Sequence, residues 1–351
     1  MLFIPHKHLY ISGTSYISSD EPDYKEVITD ANSRRRMGRL LKMAVWCGLK
    51  SLDGVPSERV AGIITSTGAG FMKDTISFGS SIFDREETLL NPSPFMQSTF
   101  NTASGYIALI RKIHAYNTTY VQQADGFAAS LLDAAMLLDD AGEGNVALVG
   151  AFDEVTPEVD VIRQRLGLYR VGDGFLPLGE GAAAFLLSAA MPTDVSESCP
   201  ATESSTGPGG GDGSESASER GGDEADSESA SEQGGDEAGS ESSSEPLHEY
   251  GGTSSRSLNG TKDGNAALRF CGLANLSDLS KCAANPIAEL FGINACVNVI
   301  SCADHVESLG AFRSLLPVLL CKLISEQQIP DSYTAIMDDV NEDGVIVLLH
   351  K

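Results

Sequence analysis

Chemistry in this chain is to be sought first between Asn91 and Leu109, NPSPFMQSTFNTASGYIAL. A polar run of small residues, Ser98, Thr99, Asn101, Thr102, Ala103, Ser104 and Gly105, leads into an apolar-periodic segment of Tyr106, Ile107, Leu109, Ile110 and Ile113. Small residues let a backbone turn sharply off a strand, and a helix that follows aims its free N–H groups and positive dipole end at whatever the turn carries. That layout activates thiol nucleophiles. Here the turn carries no cysteine, and a threonine or serine hydroxyl is a weak nucleophile without an adjacent base. Cys302, three residues before His305, raises a Cys/His dyad against the plainer reading of a buried thiol.

The elements that would position these groups follow from the apolar pattern. Strands are expected at 8–12, 60–66, 145–150, 182–188, 267–272, 295–301 and 343–350, each rich in Val, Ile, Leu, Phe or Ala and bounded by Gly, Asn or Asp. Helices are expected at 33–50, 102–115, 126–140 and 307–327, where apolar residues recur every three or four positions. Alternating strands and helices imply an α/β fold of mostly parallel sheets covered by helices.

The net charge of −25 is unevenly spread. Asp194–Glu249 holds sixteen carboxylates against Arg220 alone, so the rest of the chain carries −10, an ordinary value that argues against nucleic acid as a partner. SESASERGGDEA at Ser214–Ala225 returns as SESASEQGGDEA at Ser227–Ala238, with a degraded copy at Ser240–Glu245. Text with so few apolar side chains cannot offset the entropy of ordering itself, so 192–264 is expected to be a disordered acidic insertion. A tolerated repeat in a surface loop explains it, and an acidic interaction arm or a phosphorylated serine tract is the alternative.

The seven cysteines show neither a C-x-x-C pair nor metal-type spacing to histidine. No metal and no cofactor are expected, and unpatterned thiols fit a reducing cytoplasm. The N-terminal MLFIPHKHLYISG is broken by Pro5, His6, Lys7 and His8, and no apolar stretch nears eighteen residues. Neither a signal peptide nor a membrane anchor is expected, which leaves a soluble cytoplasmic protein.

The turn at 98–109 resembles the active-site turn of the β-ketoacyl synthases of the thiolase superfamily, whose signature reads roughly T-A-C-A-S-G-x-x-A-I. Six further blocks carry the resemblance. Leu9–Ser12 with Gly13 is similar to the first strand, Ser33–Met43 (SRRRMGRLLKM) to the basic first helix, and Gly62–Gly70 (GIITSTGAG) to the second strand and its glycine-rich turn. Asn145–Pro157 (NVALVGAFDEVTP) is similar to the strand reading ALVGG, and Gly172–Gly181 (GDGFLPLGEG) to RDGFVLGEGA. Asn298–Ala311 (NVISCADHVESLGA) is similar to SVKSNIGHTEGAA. FMQSTFNT with NTTY and GAFDE resembles most a divergent bacterial branch beside polyene-pigment pathways, whose shorter members act as chain-length factors.

The resemblance implies the thiolase-like fold, two related βαβ halves in a five-layer arrangement, at 1–165 and at 166–191 with 265–351. It aligns Thr102 with the nucleophilic cysteine and His305 with one of two catalytic histidines. The other histidine has no counterpart, since His248 is the only one between Asp194 and Asn298; Ile300 stands for a family lysine, and the C-terminal G-F-G-G gate is missing. The resemblance therefore implies an inert subunit of chain-length-factor type. Phe95, Gln97, Asn101, Ala103, Ser104 and Gly105, with Asn117–Ser130, would be tunnel wall or interface. Its partners would be a catalytic ketosynthase or a second copy of the chain, and an acyl carrier protein docking near Arg34, Arg35, Arg36 and Arg39. Glu180 reads as a structural carboxylate. The alternatives are an active acyltransferase or ketosynthase using Thr102 or another residue with His305, and an interaction protein acting through its acidic arm.

Overall fold

The computed structural model describes residues 1–18, 20–122, 125–142, 144–189, 267–281, 286–341 and 344–351. The expected insertion at 192–264 lies outside them. The strands among the described residues are β1 (Leu2–Phe3), β2 (Leu9–Ile17), β3 (Val60–Ser66), β4 (Tyr116–Tyr120), β5 (Val146–Asp153), β6 (Arg170–Val171), β7 (Gly174–Phe175), β8 (Gly181–Ser188), β9 (Arg269–Asn275), β10 (Val297–Ser301), β11 (Tyr333–Met337) and β12 (Val345–His350). β6 and β7 form a small hairpin, and the others form one mixed sheet in the order β10-β11-β12-β9-β2-β8-β5-β3-β4, with β1 on β9.

That sheet contains two groups built alike. β3 is parallel to β5, β5 antiparallel to β8, and β8 antiparallel to β2. In the same sense β10 is parallel to β11, β11 antiparallel to β12, and β12 antiparallel to β9. A short antiparallel contact, Leu9 with Phe270 and Tyr10 with Arg269, joins the groups. The first group has one more strand, β4, parallel to β3 at the sheet edge.

β5 and β8, VALVGAFD and GAAAFLLS, are buried along their whole length because both faces are covered. Ala147, Val149, Ala151, Ala183, Phe185 and Leu187 face one cluster, made with the helices Asp125–Asp140 and Leu315–Ser325. Val146, Leu148, Phe152, Ala182, Ala184 and Leu186 face the other, made with the helix Arg39–Ser51. The period of two thus sorts each strand between two cores. Leu315–Ser325 is apolar all round, and packs on β2, β8 and β5 and also on β11. Each such fully buried leucine contributes about 1.5–3 kcal/mol of transfer free energy.

Two expected helices are broken. The one at 33–50 divides into Ala31–Arg36 and Arg39–Ser51 at Met37 and Gly38, and the one at 307–327 into Val306–Leu309 and Leu315–Ser325. Gly310, at φ 76°, causes the second break. The freed backbone pairs with the segment before β8: Ala311 N donates to Pro177 O at 2.7 Å and Gly179 N to Ala311 O at 3.2 Å. A Cβ on Gly179 would stand 1.9 Å from Leu309 O, so only glycine allows this approach. No helix among the described residues is long and apolar enough to cross a membrane.

Candidate functional site

The helix Thr102–Arg111 does not spring from a strand. It follows the short helix Pro92–Gln97, which is capped by Asn91 Oδ1 accepting from Ser93 N at 3.0 Å. This corrects the expected strand-to-helix turn: prolines at 92 and 94 suit a first helical turn, so the polar run joins two helices. A strand followed by a largely buried helix does occur, but at β4 and Asp125–Asp140.

Thr102 is nearly buried, and its hydroxyl is committed locally. Oγ1 donates to Met96 O at 3.1 Å and shares a hydrogen bond with Thr99 Oγ1 at 2.7 Å. Ser104 Oγ donates to Asn101 O at 3.0 Å and meets Thr119 Oγ1 at 3.3 Å, while Thr119 Oγ1 meets Thr65 Oγ1 at 2.8 Å. A chain of hydroxyls thus ties this helix to β4 and β3. Between Ser98–Asn101 and Asn117–Thr119 lies an open groove of about 540 Å³.

The other residues of the run have divergent surroundings. Gln97 is buried, with Oε1 accepting from Gly38 N at 2.7 Å and Nε2 donating to Arg36 O, so it bridges two helices. Ala103 is fully buried in the core under Arg39–Ser51, whereas Gly105 is exposed with open space where a Cβ would stand. Phe95 is half exposed and stacks on Phe78 at 5.1 Å between centroids.

His305 ends the short turn that follows β10. Burial and Lys322 hold its imidazole below the usual histidine pKa, against Asp304 and Glu326. Lys322 and Glu326 belong to the C-terminal end of Leu315–Ser325, so His305 stands at that end of the helix. No hydrogen bond joins it to Thr102 among the described residues, and β10 and β4 are opposite ends of the strand order. The two aligned residues are therefore not hydrogen-bonded as nucleophile and base. Cys302 is fully buried, and burial with Asp338 and Asp339 pushes its thiol well up, which suits the plainer reading of a buried thiol.

The basic run is largely occupied. Arg39 pairs with Glu21 and, at 2.7 Å, with Glu180, whose other oxygen accepts from Val155 N at 3.0 Å. Glu180 thereby ties three segments together. Arg34 donates to Ile28 O and to Thr29 O at 3.3 Å, and Arg35 to Asn32 Oδ1 at 3.0 Å.

Sequence reasoning missed the buried Asp153, the last residue of β5. Its Oδ1 accepts from Gly68 N at 2.8 Å, Thr67 Oγ1 at 3.1 Å and Ala69 N at 3.3 Å; its Oδ2 accepts from Ser314 Oγ at 2.5 Å. One carboxylate thus clamps the glycine-rich turn after β3 to the start of Leu315–Ser325. Burial raises its pKa, and these donors oppose the shift. Beside it, Arg313 lies 5.9 Å over the Tyr169 ring, Tyr169 Oη donates to Asn341 Oδ1 at 2.9 Å, and Asn341 Nδ2 donates to the buried Asp338 at 2.8 Å. The signal available in the sequence was an acid closing an otherwise apolar eight-residue strand. No cluster of three metal-ligating side chains occurs among the described residues.

Residues 14–171 match the family described as β-ketoacyl synthase, N-terminal domain. No curated protein matches the chain. Among solved structures, AntDE:AntF, a type II PKS acyl-carrier protein in complex with its ketosynthase bound to the hexaketide, aligns over 98% of this chain and 99% of that one at 13% identity and a TM-score of 0.59. The ishigamide ketosynthase/chain length factor aligns over 97% and 98%, at 13% identity and a TM-score of 0.58. A ketosynthase in complex with its chain length factor from Xenorhabdus doucetiae covers 52% of this chain and 79% of that one, at 16% identity and a TM-score of 0.38. At these identities the full-length matches establish a shared fold. The chain is therefore β-ketoacyl synthase-like in fold, and its residues 14–171 match the N-terminal domain described for that family.

Proposed function

We propose that this protein is a ketosynthase-like subunit of chain-length-factor type, which pairs with a catalytic ketosynthase and shapes the acyl tunnel without supplying the nucleophile. The reaction served is decarboxylative condensation of a malonyl-type extender with an acyl chain held on an acyl carrier protein. The observation that carries this reading is the state of Thr102: its hydroxyl is spent on Thr99 and a main-chain carbonyl, with no imidazole hydrogen-bonded to it among the described residues. The similar structures named above hold a ketosynthase with a chain length factor and a ketosynthase with an acyl-carrier protein, which supports both partners. The same reading has two related halves, supported by the matched pairing sense of the two strand groups; because β8 pairs within the first group, the division proposed falls after Ser188 rather than at 165.

The interface in this reading is the face that carries β4. β4 ends the strand order with one edge unpaired among the described residues, and such an edge is a template for another chain. Phe100 and Val121 beside it, and Met96, Leu109 and Tyr116 on β4 and the two helices before it, are exposed apolar side chains that such a contact would cover. Arg36, exposed at the end of Ala31–Arg36, is the remaining candidate for carrier docking. Gly105→Glu tests the interface, because the site has room for a side chain and the fold is spared. Co-purification with the cognate ketosynthase should fall by at least about tenfold, since a buried unpaired charge costs several kcal/mol. Unchanged complex and unchanged product length would remove the chain-length-factor reading.

A further inference from the structure

A cavity of about 200 Å³ lies away from Thr102, His305 and Asp153, where the N-terminal segment crosses β9. Phe270, Phe291, Ile293, Tyr333 and Leu348 give it apolar walls, and Lys7, His8 and Arg269 line it as well. Among the described residues no acidic side chain lines it, in a chain whose net charge is −25. Lys7 Nζ is held by the carbonyls of Leu138, at 3.2 Å, and Asp139, the C-terminal end of Asp125–Asp140, where the helix dipole favours a cation. Arg269 Nη1 meets His8 Nδ1 at 3.2 Å, and its Nε meets Cys271 Sγ at 3.4 Å. No carboxylate among the described residues forms an ion pair with Arg269. A guanidinium has five N–H donors in a planar fork that matches a carboxylate. Here two nitrogens are engaged by neutral or weak partners, which orients the group and leaves its charge uncompensated.

We propose that this cavity binds a small amphipathic carboxylate, with its anionic head on Arg269 and Lys7 and its alkyl tail against Phe270, Phe291 and Leu348. The volume sets the size: it is below the roughly 300–1,000 Å³ of pockets for drug-sized molecules, so a short chain fits and a long acyl chain does not. Hydrogen bonds to charged groups contribute more than neutral ones, so the head should decide affinity and the tail should add to it.

Cys271 also lines the cavity and serves as the reporter, with the exposed Cys296, which does not line it, as the internal reference. The full-length protein is treated with N-ethylmaleimide, and each cysteine is followed by peptide mass spectrometry in hexanoate, hexanol or acetate. Hexanoate should slow Cys271 alkylation saturably and leave Cys296 unchanged, with hexanol needing about tenfold higher concentration. In Arg269→Gln, most of the advantage of hexanoate over hexanol should be lost, leaving only the part that Lys7 supplies. Lys7→Gln, on an exposed residue, should weaken hexanoate alone, a second reading if the first variant does not fold. Equal protection by hexanoate and hexanol in the wild type, no protection, or equal slowing of Cys271 and Cys296 would overturn the proposal.

Discussion

β5 and β11 occupy the same place in the two strand groups, and each leads into a buried aspartate that is used differently. Asp153, ending β5, reaches out to the turn after β3 and to Ser314 on another element. Asp338, directly after β11, accepts from Val340 N, Asn341 N and Asn341 Nδ2, all in its own turn. The work of holding the neighbouring strand's turn passes to Asp339, which accepts from Ala303 N at 2.9 Å and Ser301 Oγ at 2.5 Å. The first group is therefore braced across its elements and into the shared helix Leu315–Ser325. The second is braced mostly within its own loops, and its histidine lies beyond the Gly310 break. Matching topology has been kept while the polar contacts that would assemble a site have diverged.

The sharpest way to break this contrast is to remove each carboxylate. Asp153→Ala strands four donors in the core, and at about 1–3 kcal/mol for each unsatisfied group the loss should be on the order of 4 kcal/mol after relaxation. Asp338→Ala, whose donors belong to a loop able to rearrange, should cost roughly half as much. Urea unfolding of both variants gives the comparison. Equal losses would mean that the two aspartates brace their groups alike.

How far the sequence reached depended on where each signal resides. β3, β5 and β8 were legible because each is an apolar run closed by polar or turn residues. β4, YNTTY, was not: it is an edge strand whose Thr119 bonds to a neighbouring strand and helix, and it carries no apolar signature. Met72–Asp84 and Pro157–Leu166 were missed because no residue in either is buried, and an exposed helix need not show a stripe. Thr102 and His305 were identifiable by alignment, but that they do not meet follows from β10 and β4 standing at opposite ends of the strand order, which is a tertiary fact. Asp153 is defined by Thr67, Gly68 and Ser314, up to 161 positions away, beyond the reach of any local pattern.

A smaller effect sharpens the account of the second group. The folded-state pKa of His305 is lowered, so the unfolded chain takes up its proton first as pH falls. Its stability contribution should thus be fully present above the ordinary value of about 6.5 and fade between there and the folded-state pKa. The difference in melting temperature between wild type and His305→Gln should change through that window, with wild type losing ground as pH drops. A flat difference, or one of opposite sign, would mean that the imidazole is not held neutral beside Lys322.

The smallest effect concerns a region outside both groups. Deleting Ala201–Ser244 removes almost no apolar side chains, so the melting temperature should stay within about two degrees. A fall of about ten degrees would mean that the insertion contributes to the core.

The central claim is that this subunit contributes geometry and no nucleophile. Intact-mass spectrometry after incubation with acyl carrier protein thioesters and acyl coenzyme A tests it most directly. The account predicts an unmodified mass under conditions where a catalytic ketosynthase is fully acylated. A stoichiometric acyl adduct that disappears in Thr102→Ala would contradict it, because the hydroxyl now spent on Thr99 and Met96 would then be the reacting group.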